Sequence, residues 1–299
     1  MSAAGPIIPV IVNMSGGAAR RAGADLPGRI GQAFAEAGRT IDLELVGGGG
    51  VRTALERHAG APRIVVGGGD GTVQVAAQSL AGSGGELAVL PLGTRNHFAR
   101  EVGIPLGLAD AVRLAATGTA RRVDLGQAGG RVFVNNLSAG AYVVVVRERQ
   151  HAEPPKLLAT PRAAWRALRH LRTRTFRLAI DGEPCTVDTP LLFIGNNRYE
   201  VKEGRPGERV RLDGGRLWCY AVAPLSRLGF LSAALRLLVG RPRMHRDFVL
   251  DRLAHTVRID PGGKSLEVAL DGERTRFDLP LAIRVLPGAL AIVAPPPHG

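Results

Sequence analysis

Ile64-Val65-Val66 runs directly into Gly67-Gly68-Gly69-Asp70-Gly71-Thr72, and a helical pattern follows from Val73. A short buried strand, a glycine-rich turn and a helix in that order leave few folds open. Glycines let the backbone turn sharply and come close to a ligand. The helix N-terminus behind them offers free N–H groups to an anion. Such a unit belongs to a layered α/β fold, in which ligands bind at the carboxyl ends of parallel strands.

The same rhythm continues through the first 125 residues. Residues 7–12 form an apolar strand. Asp25 then reads as an N-cap, with Leu26, Ile30, Phe34 and Ala37 at helical spacing and Gly38 as the stop. Strands are expected at 40–46, 64–66 and 87–90, and helices at 51–58, 73–80 and 109–117. This alternation predicts a mostly parallel sheet covered by helices.

Beyond Arg121 the pattern changes. Strand signals recur at 132–135, 176–180, 191–194, 217–222, 256–259, 266–270, 283–286 and 290–293, and two end in the hairpin dipeptides Asp181-Gly182 and Asp271-Gly272. An antiparallel β-sandwich with helical insertions near 161–171 and 225–239 is the expected second domain. The boundary falls near 125–130, giving an α/β domain over 1–125 and a sandwich over 126–288.

Two further loops leave strand ends in the first domain. Pro91-Leu92-Gly93-Thr94-Arg95-Asn96-His97-Phe98-Ala99-Arg100 lies between a strand and a helix, and Asn13-Met14-Ser15-Gly16-Gly17 is the first strand-to-helix turn. Loops leaving the same edge of a parallel sheet can line one nucleotide site. The structural alternatives are a tight capped turn at 67–72 and an ordinary loop with Asn96 as N-cap.

The net charge is +13, and all but three of the 39 basic residues are arginine. Such a field favours anionic partners, whether nucleotide phosphates, nucleic acid or an acidic membrane surface. Aromatic residues make up only 4% and no RNA- or DNA-binding signature is present, which ranks nucleic acid last. Cys185 and Cys219 have neither metal spacing nor a disulfide framework, consistent with a reducing cytoplasm. No segment offers 18 uncharged apolar residues, so a membrane span is not expected. The stretches near 161–171 and 225–239 are basic and amphipathic, with Trp165, Leu168 and Leu171 among Arg162, Arg166 and Arg169, and Leu228, Leu231 and Leu235 bordered by Arg227 and Arg236. They allow peripheral contact with the inner membrane surface, and a homodimer is also open.

Taken together, the Gly-Gly-Asp-Gly-Thr loop, the Pro-Leu-Gly-Thr-x-Asn-x-Phe-Ala-Arg loop, the Asn-x-Ser-Gly turn and a late Asp-Gly-Glu resemble the diacylglycerol kinase catalytic family. That family includes sphingosine kinases and bacterial lipid kinases. Asn135-Asn136, Gly195-Asn196-Asn197 and Pro287-Gly288-Ala289-Leu290 extend the likeness over nearly the whole chain. The resemblance implies a nucleotide domain completed by a last strand at about 289–299, then a lipid-substrate sandwich, with substrates in the cleft between. It places ATP on Asn13, Ser15 and Gly16, on Gly68, Gly69, Asp70, Gly71 and Thr72, and on Thr94 and Asn96. It implies Mg²⁺ as cofactor and matches Asp271 and Glu273 to the catalytic Asp-Gly-Glu.

By alternation of residues 266–270, Asp271 and Glu273 should end a strand on one side of it, where a carboxylate could take a hydroxyl proton. The alternative is a type I′ turn, and Asp181-Gly182-Glu183 carries the same three letters. The family's Mg²⁺-binding Asp-Gly-x-Leu segment reads Gly214-Gly215-Arg216-Leu217 here, which leaves Asp213 as the neighbouring candidate ligand. The expected activity is transfer of the γ-phosphoryl of ATP to a lipid hydroxyl of diacylglycerol type. An NAD-kinase-like enzyme and a catalytically silent nucleotide- or lipid-binding homologue are the alternatives.

Overall fold

In this computed structural model residues 6–140, 173–202, 205–209, 211–223, 248–260 and 262–296, with the single positions 229 and 232, are described. The helical insertions expected near 161–171 and 225–239 lie outside the described residues. The first elements are β1 (Ile8–Asn13), α1 (Gly17–Ala22), α2 (Leu26–Glu36), β2 (Ile41–Val46) and α3 (Val51–Arg57). After them come β3 (Arg63–Gly68), α4 (Asp70–Leu80), β4 (Glu86–Pro91), α5 (His97–Glu101) and α6 (Leu108–Thr117). All-β structure follows: β5 (Ala120–Ala128), β6 (Arg131–Phe133), β7 (Asn136–Gly140), β8 (Arg174–Ile180), β9 (Glu183–Thr189), β10 (Leu191–Asn196), β11 (Tyr199–Lys202) and β12 (Arg205–Arg209). The chain closes with β13 (Leu217–Val222), β14 (Phe248–Ala254), β15 (Thr256–Ile259), β16 (Ser265–Leu270), β17 (Glu273–Asp278) and β18 (Leu281–Val293).

Two units result: Met1–Leu125 with Gly288–Gly299, and Gly126–Pro287. In the first unit the strands run in the order β2-β1-β3-β4, all parallel. The end of β18 joins beside β4, also parallel, through Ala291 opposite Glu86. Val10, Val12 and Val65 of the sheet pack with Ile30 and Phe34 of α2 and with Val112 of α6. Each such side chain, removed from water, contributes about 1.5–3 kcal/mol. Strands β1, β3 and β4 are buried along most of their length because helices cover both faces, while the edge strand β2 carries Asp42 and Glu44.

Helix α4 begins at Asp70, three residues before the sequence pattern placed it. Gly69 is extended (φ −100°, ψ −169°), and its carbonyl accepts from the N–H groups of Thr72 and Val73. Asp70 puts a carboxylate in the first turn, where the helix dipole favours it. Asp25 precedes α2 as expected but makes no capping hydrogen bond, because a 3₁₀ turn over Gly23–Asp25 already leads into the helix.

The second unit is a sandwich. One antiparallel sheet runs β14-β13-β10-β7-β16-β17; in the other, the first part of β18 pairs with β15, which continues to β8 and β9. Phe133, Leu137, Ile194, Cys219, Val257 and Leu270 share the core between them. Burial pushes the Cys219 thiol up to about 12, so it is an inert core residue. The strand expected at 132–135 is instead divided, with β6 ending at Phe133 and β7 starting at Asn136. Val134 and Asn135 form the link, and their backbone groups are used as described below.

Candidate active site

Four loops leave the carboxyl ends of the parallel strands β1, β2, β3 and β4, and their side chains tie them together. The Asn13 amide donates to the Thr72 hydroxyl (3.0 Å), while its Oδ1 accepts the N–H of Ser15 (3.0 Å). The Ser15 hydroxyl accepts the N–H of Gly48 (2.9 Å). Asp70 Oδ1 accepts the N–H of Phe98 in the first turn of α5 (3.1 Å), so the 67–72 loop holds the 91–100 loop through one carboxylate.

The glycines make this approach possible. A Cβ on Gly93 would sit 2.3 Å from Gly69 Cα, one on Gly68 would sit 2.3 Å from the Thr72 hydroxyl, and one on Gly16 would sit 3.3 Å from the Leu92 carbonyl. Any side chain at Gly93 would push the 91–100 and 67–72 loops apart, and one at Gly68 would displace the Thr72 side chain within its own loop. Asn96 adopts a left-handed backbone (φ 51°) and is nearly buried. Its Oδ1 accepts from Gly93 N–H, and its amide donates to the carbonyls of Pro91 and Gly93. Its side chain therefore shapes the loop, while Thr94 beside it is exposed. Thr72 is buried, and Ser15 is exposed at the rim.

In the second unit, Asp271 does not end a strand. It is the first residue of a two-residue turn with Gly272, both at positive φ (48° and 83°), and β17 begins only at Glu273. The expected strand-end pairing of Asp271 and Glu273 on one side is thus replaced by a type I′ hairpin. Glu273 is exposed. The Asp271 carboxylate accepts three backbone N–H groups: Val134 on Oδ2 (2.7 Å), and Asn135 (2.7 Å) and Asn136 (3.0 Å) on Oδ1. Its own N–H donates to the Asn136 carbonyl (2.9 Å).

The hairpin at Asp181-Gly182 repeats this device. Asp181 also has positive φ (50°), its N–H donates to the Thr256 carbonyl, and its Oδ1 accepts from the N–H groups of His255 and Thr256. What separates the twins is enclosure. The Asp181 side chain is 39% exposed. Its modest burial pushes the carboxyl up, but the hydrogen bonds from Thr256 and His255 outweigh that and lower it. The Asp271 carboxylate is enclosed, although the residue as a whole keeps some exposure. Burial raises it to about 6 against the opposing pull of the three amides and Arg209.

Residues 8–128 match the diacylglycerol kinase catalytic domain, and residues 135–294 match the YegS C-terminal NAD kinase beta sandwich-like domain. A probable lipid kinase YegS-like of Pseudomonas fluorescens (strain Pf-5) is 32% identical over 247 residues, which cover 79% of each chain. The chain belongs to the YegS-like lipid kinase family. Its counterpart from Chromohalobacter salexigens is 29% identical over 272 residues, covering 87% of this chain and 86% of that one. The similarity to the Pseudomonas aeruginosa (strain PAO1) relative, 44% over 110 residues, spans 36% of that protein's length. A solved diacylglycerol kinase from Bacillus anthracis str. Sterne shares the fold, with a TM-score of 0.71 at 21% identity over 97% of both chains.

The metal candidate of this YegS-like family member does not fit a resident ion. Asp213 is exposed, and its Oδ1 lies 3.0 Å from Arg211 Nε, an ion pair with a cation. Among the described residues no three His, Cys, Asp or Glu side chains cluster to hold a metal.

Several residues around Asp271 escaped the sequence reading. Arg209, nearly buried, donates through Nη1 to the carbonyls of Val134 (2.7 Å) and Asn196 (3.2 Å), and through Nη2 to Asn135 Oδ1 (3.0 Å). The Tyr199 hydroxyl donates to the Asn135 carbonyl (3.0 Å), and the Asn196 amide to the Val134 carbonyl (2.9 Å). The paired asparagines at 135–136 and 196–197 were the only sequence signal for this assembly. Arg209 carried none, being one arginine among many. Asp124 was likewise missed: it is buried and accepts the N–H of Gly288 (2.8 Å).

Proposed function

We propose that this kinase transfers the γ-phosphoryl group of ATP to the hydroxyl of a diacylglycerol-like lipid. The observation that carries the reading is the interlocked set of glycine loops at the carboxyl edge of the parallel sheet, closed by Asn13, Asp70 and Thr72. Backbone N–H groups and the start of α4 suit phosphate oxygens there. ATP enters as its Mg²⁺ complex, so that metal is part of the substrate.

In this reading Asp271 is the base. A carboxylate offers about four acceptor positions. The three amides fill three of them and leave one on Oδ2, which can receive a hydroxyl proton. As the acceptor oxygen bonds to the γ-phosphorus, the bond to the β-phosphate oxygen breaks and ADP leaves with that electron pair. The hydroxyl proton passes to Asp271. Such transfer relies mainly on positioning and charge stabilisation. A carboxyl raised to about 6 is largely ionised at neutral pH yet basic enough to serve. Glu273, exposed two residues along, is a secondary candidate.

Among the described residues no helix is long and apolar enough to cross a membrane. A lipid acceptor therefore calls for contact at a membrane surface, which the excess of arginine favours. Because residues 135–294 match an NAD kinase beta sandwich-like domain, the assay has two arms. Labelled ATP is incubated with a total lipid extract in one and with NAD in the other. Label in a phospholipid product is expected; label in NADP alone overturns the lipid assignment. Asp271→Asn should reduce transfer at least about 10²-fold, within the range typical of a lost general base, while ATP binding is retained. Full transfer by that variant removes Asp271 as base.

A further inference from the structure

We propose that Arg209 is a positioning residue for Asp271, acting through the peptide link between Val134 and Asn135. The geometry is continuous. Arg209 Nη1 donates to the Val134 carbonyl at 2.7 Å, and the N–H of the same peptide unit, on Asn135, donates to Asp271 Oδ1 at 2.7 Å. One peptide plane thus stands between a buried cation and the carboxylate, with both of its ends hydrogen-bonded. Charge-assisted bonds at each end polarise that peptide and strengthen one another.

The remaining contacts fix where this plane lies. Nη2 holds Asn135 Oδ1 at 3.0 Å, and the guanidinium sits over the Tyr199 ring at 5.7 Å. The Asn135 carbonyl accepts from both the Asn196 N–H (2.8 Å) and the Tyr199 hydroxyl. Planar and donating from two nitrogens in a fixed fork, a guanidinium holds a carbonyl and a side-chain amide at a set angle, whereas an ammonium is a compact charge with freely rotating donors. Without it the 134–136 link loses this charged anchor, and its three amides lose their common aim on Asp271.

The groups facing Asp271 can be enumerated by element among the described residues. The link between β6 and β7 offers amides only. Strand β10 brings neutral Asn196, β11 the Tyr199 hydroxyl and β12 the Arg209 cation. Arg209 is the charged group that acts on the carboxyl.

This inference rests on Asp271 being the base, and the experiment separates the two claims. In full-length protein labelled with ¹³C-aspartate, the Asp271 carboxyl signal is assigned by its loss in Asp271→Asn, then titrated in wild type, Arg209→Met and Arg209→Lys. Arg209→Met should raise the Asp271 pKa by about one unit or more, the size expected for a nearby opposite charge. Arg209→Lys should restore part of the shift. Asn135→Ala, which removes only the Nη2 acceptor, is the milder variant and should move it the same way by less.

The pH profile of kcat/KM with ATP and dioleoylglycerol in mixed micelles should move in parallel, its acid limb rising with the titrated value. An unchanged Asp271 pKa in folded Arg209→Met and Asn135→Ala overturns the role of Arg209. A carboxyl that shifts while the acid limb stays in place sustains Arg209 as its positioning residue and removes Asp271 as base.

Discussion

Replacing Gly93 with alanine adds one methyl group where the 91–100 and 67–72 loops touch backbone to backbone. The new Cβ would lie 2.3 Å from Gly69 Cα, 2.6 Å from Asn96 Oδ1 and 3.1 Å from Gly69 N. Carbon atoms settle at about 3.5 Å or more, so the loops must part by about 1 Å. Neither neighbour is the free end of a side chain: one is backbone, and the other is the oxygen that accepts Gly93 N–H. Overpacking of this kind costs about 1–3 kcal/mol of stability. The larger effect should be on function, because a displacement of about 1 Å at a site that positions a transferring group can cost about 10²-fold in rate.

The assay pairs urea unfolding with the ATP dependence of phosphoryl transfer. The control is Gly31→Ala, in the middle of α2, where an added Cβ meets nothing within 4 Å. That variant should gain about 0.5–1 kcal/mol, the usual advantage of alanine over glycine in a helix, and keep its activity. Folded Gly93→Ala working at the wild-type rate, with an unchanged KM for ATP, would refute the argument that close loop contact builds the nucleotide site.

Activity should depend on pH with a defined sign. Asp271 must be ionised to accept a proton and its carboxyl is raised to about 6, so kcat/KM should fall about tenfold per unit below that value and level off above it; a profile flat down to pH 4 contradicts the assignment. Asp181→Asn tests the twin turn. Its carboxyl lies below the ordinary 3.8, so it stabilises the fold above that pH and the contribution is lost as pH falls through the folded-state value. Thermal unfolding should therefore show the variant weaker than wild type at pH 7 and the two converging in acid, with kcat unaffected; a loss of kcat as large as that of Asp271→Asn would erase the distinction between the hairpins.

The first unit was legible because its chemistry is written into consecutive residues. Short apolar runs, glycine turns and 3.6-residue spacing mark β3, α4 and β4 one after another, and the loops between them carry the side chains that meet. The roles within those loops were less visible. Asn96 has the letters of a ligand-binding residue, yet its amide is spent on Pro91 and Gly93, a commitment that follows from its left-handed backbone. Asp70 reads as a nucleotide ligand, and its hydrogen bond to Phe98 joins loops 28 residues apart.

In the second unit the strands could be found but not their partners. Asp271 reaches residues 134–136 across more than 130 positions of chain. Alternation within 266–270 carries no trace of that pairing. It led to a strand end, whereas Asp-Gly chemistry at positive φ made a turn.

Asp181 and Asp271 are built to one plan: the same dipeptide, the same left-handed bend, the same grip on the amides of a neighbouring strand. What divides them is how far water reaches the carboxylate. A substitution that let water reach the Asp271 carboxylate without moving residues 134–136 would leave its hairpin well formed and its hydrogen bonds in place. It would also turn that acid into a second copy of residue 181, sound as masonry and idle as a reagent.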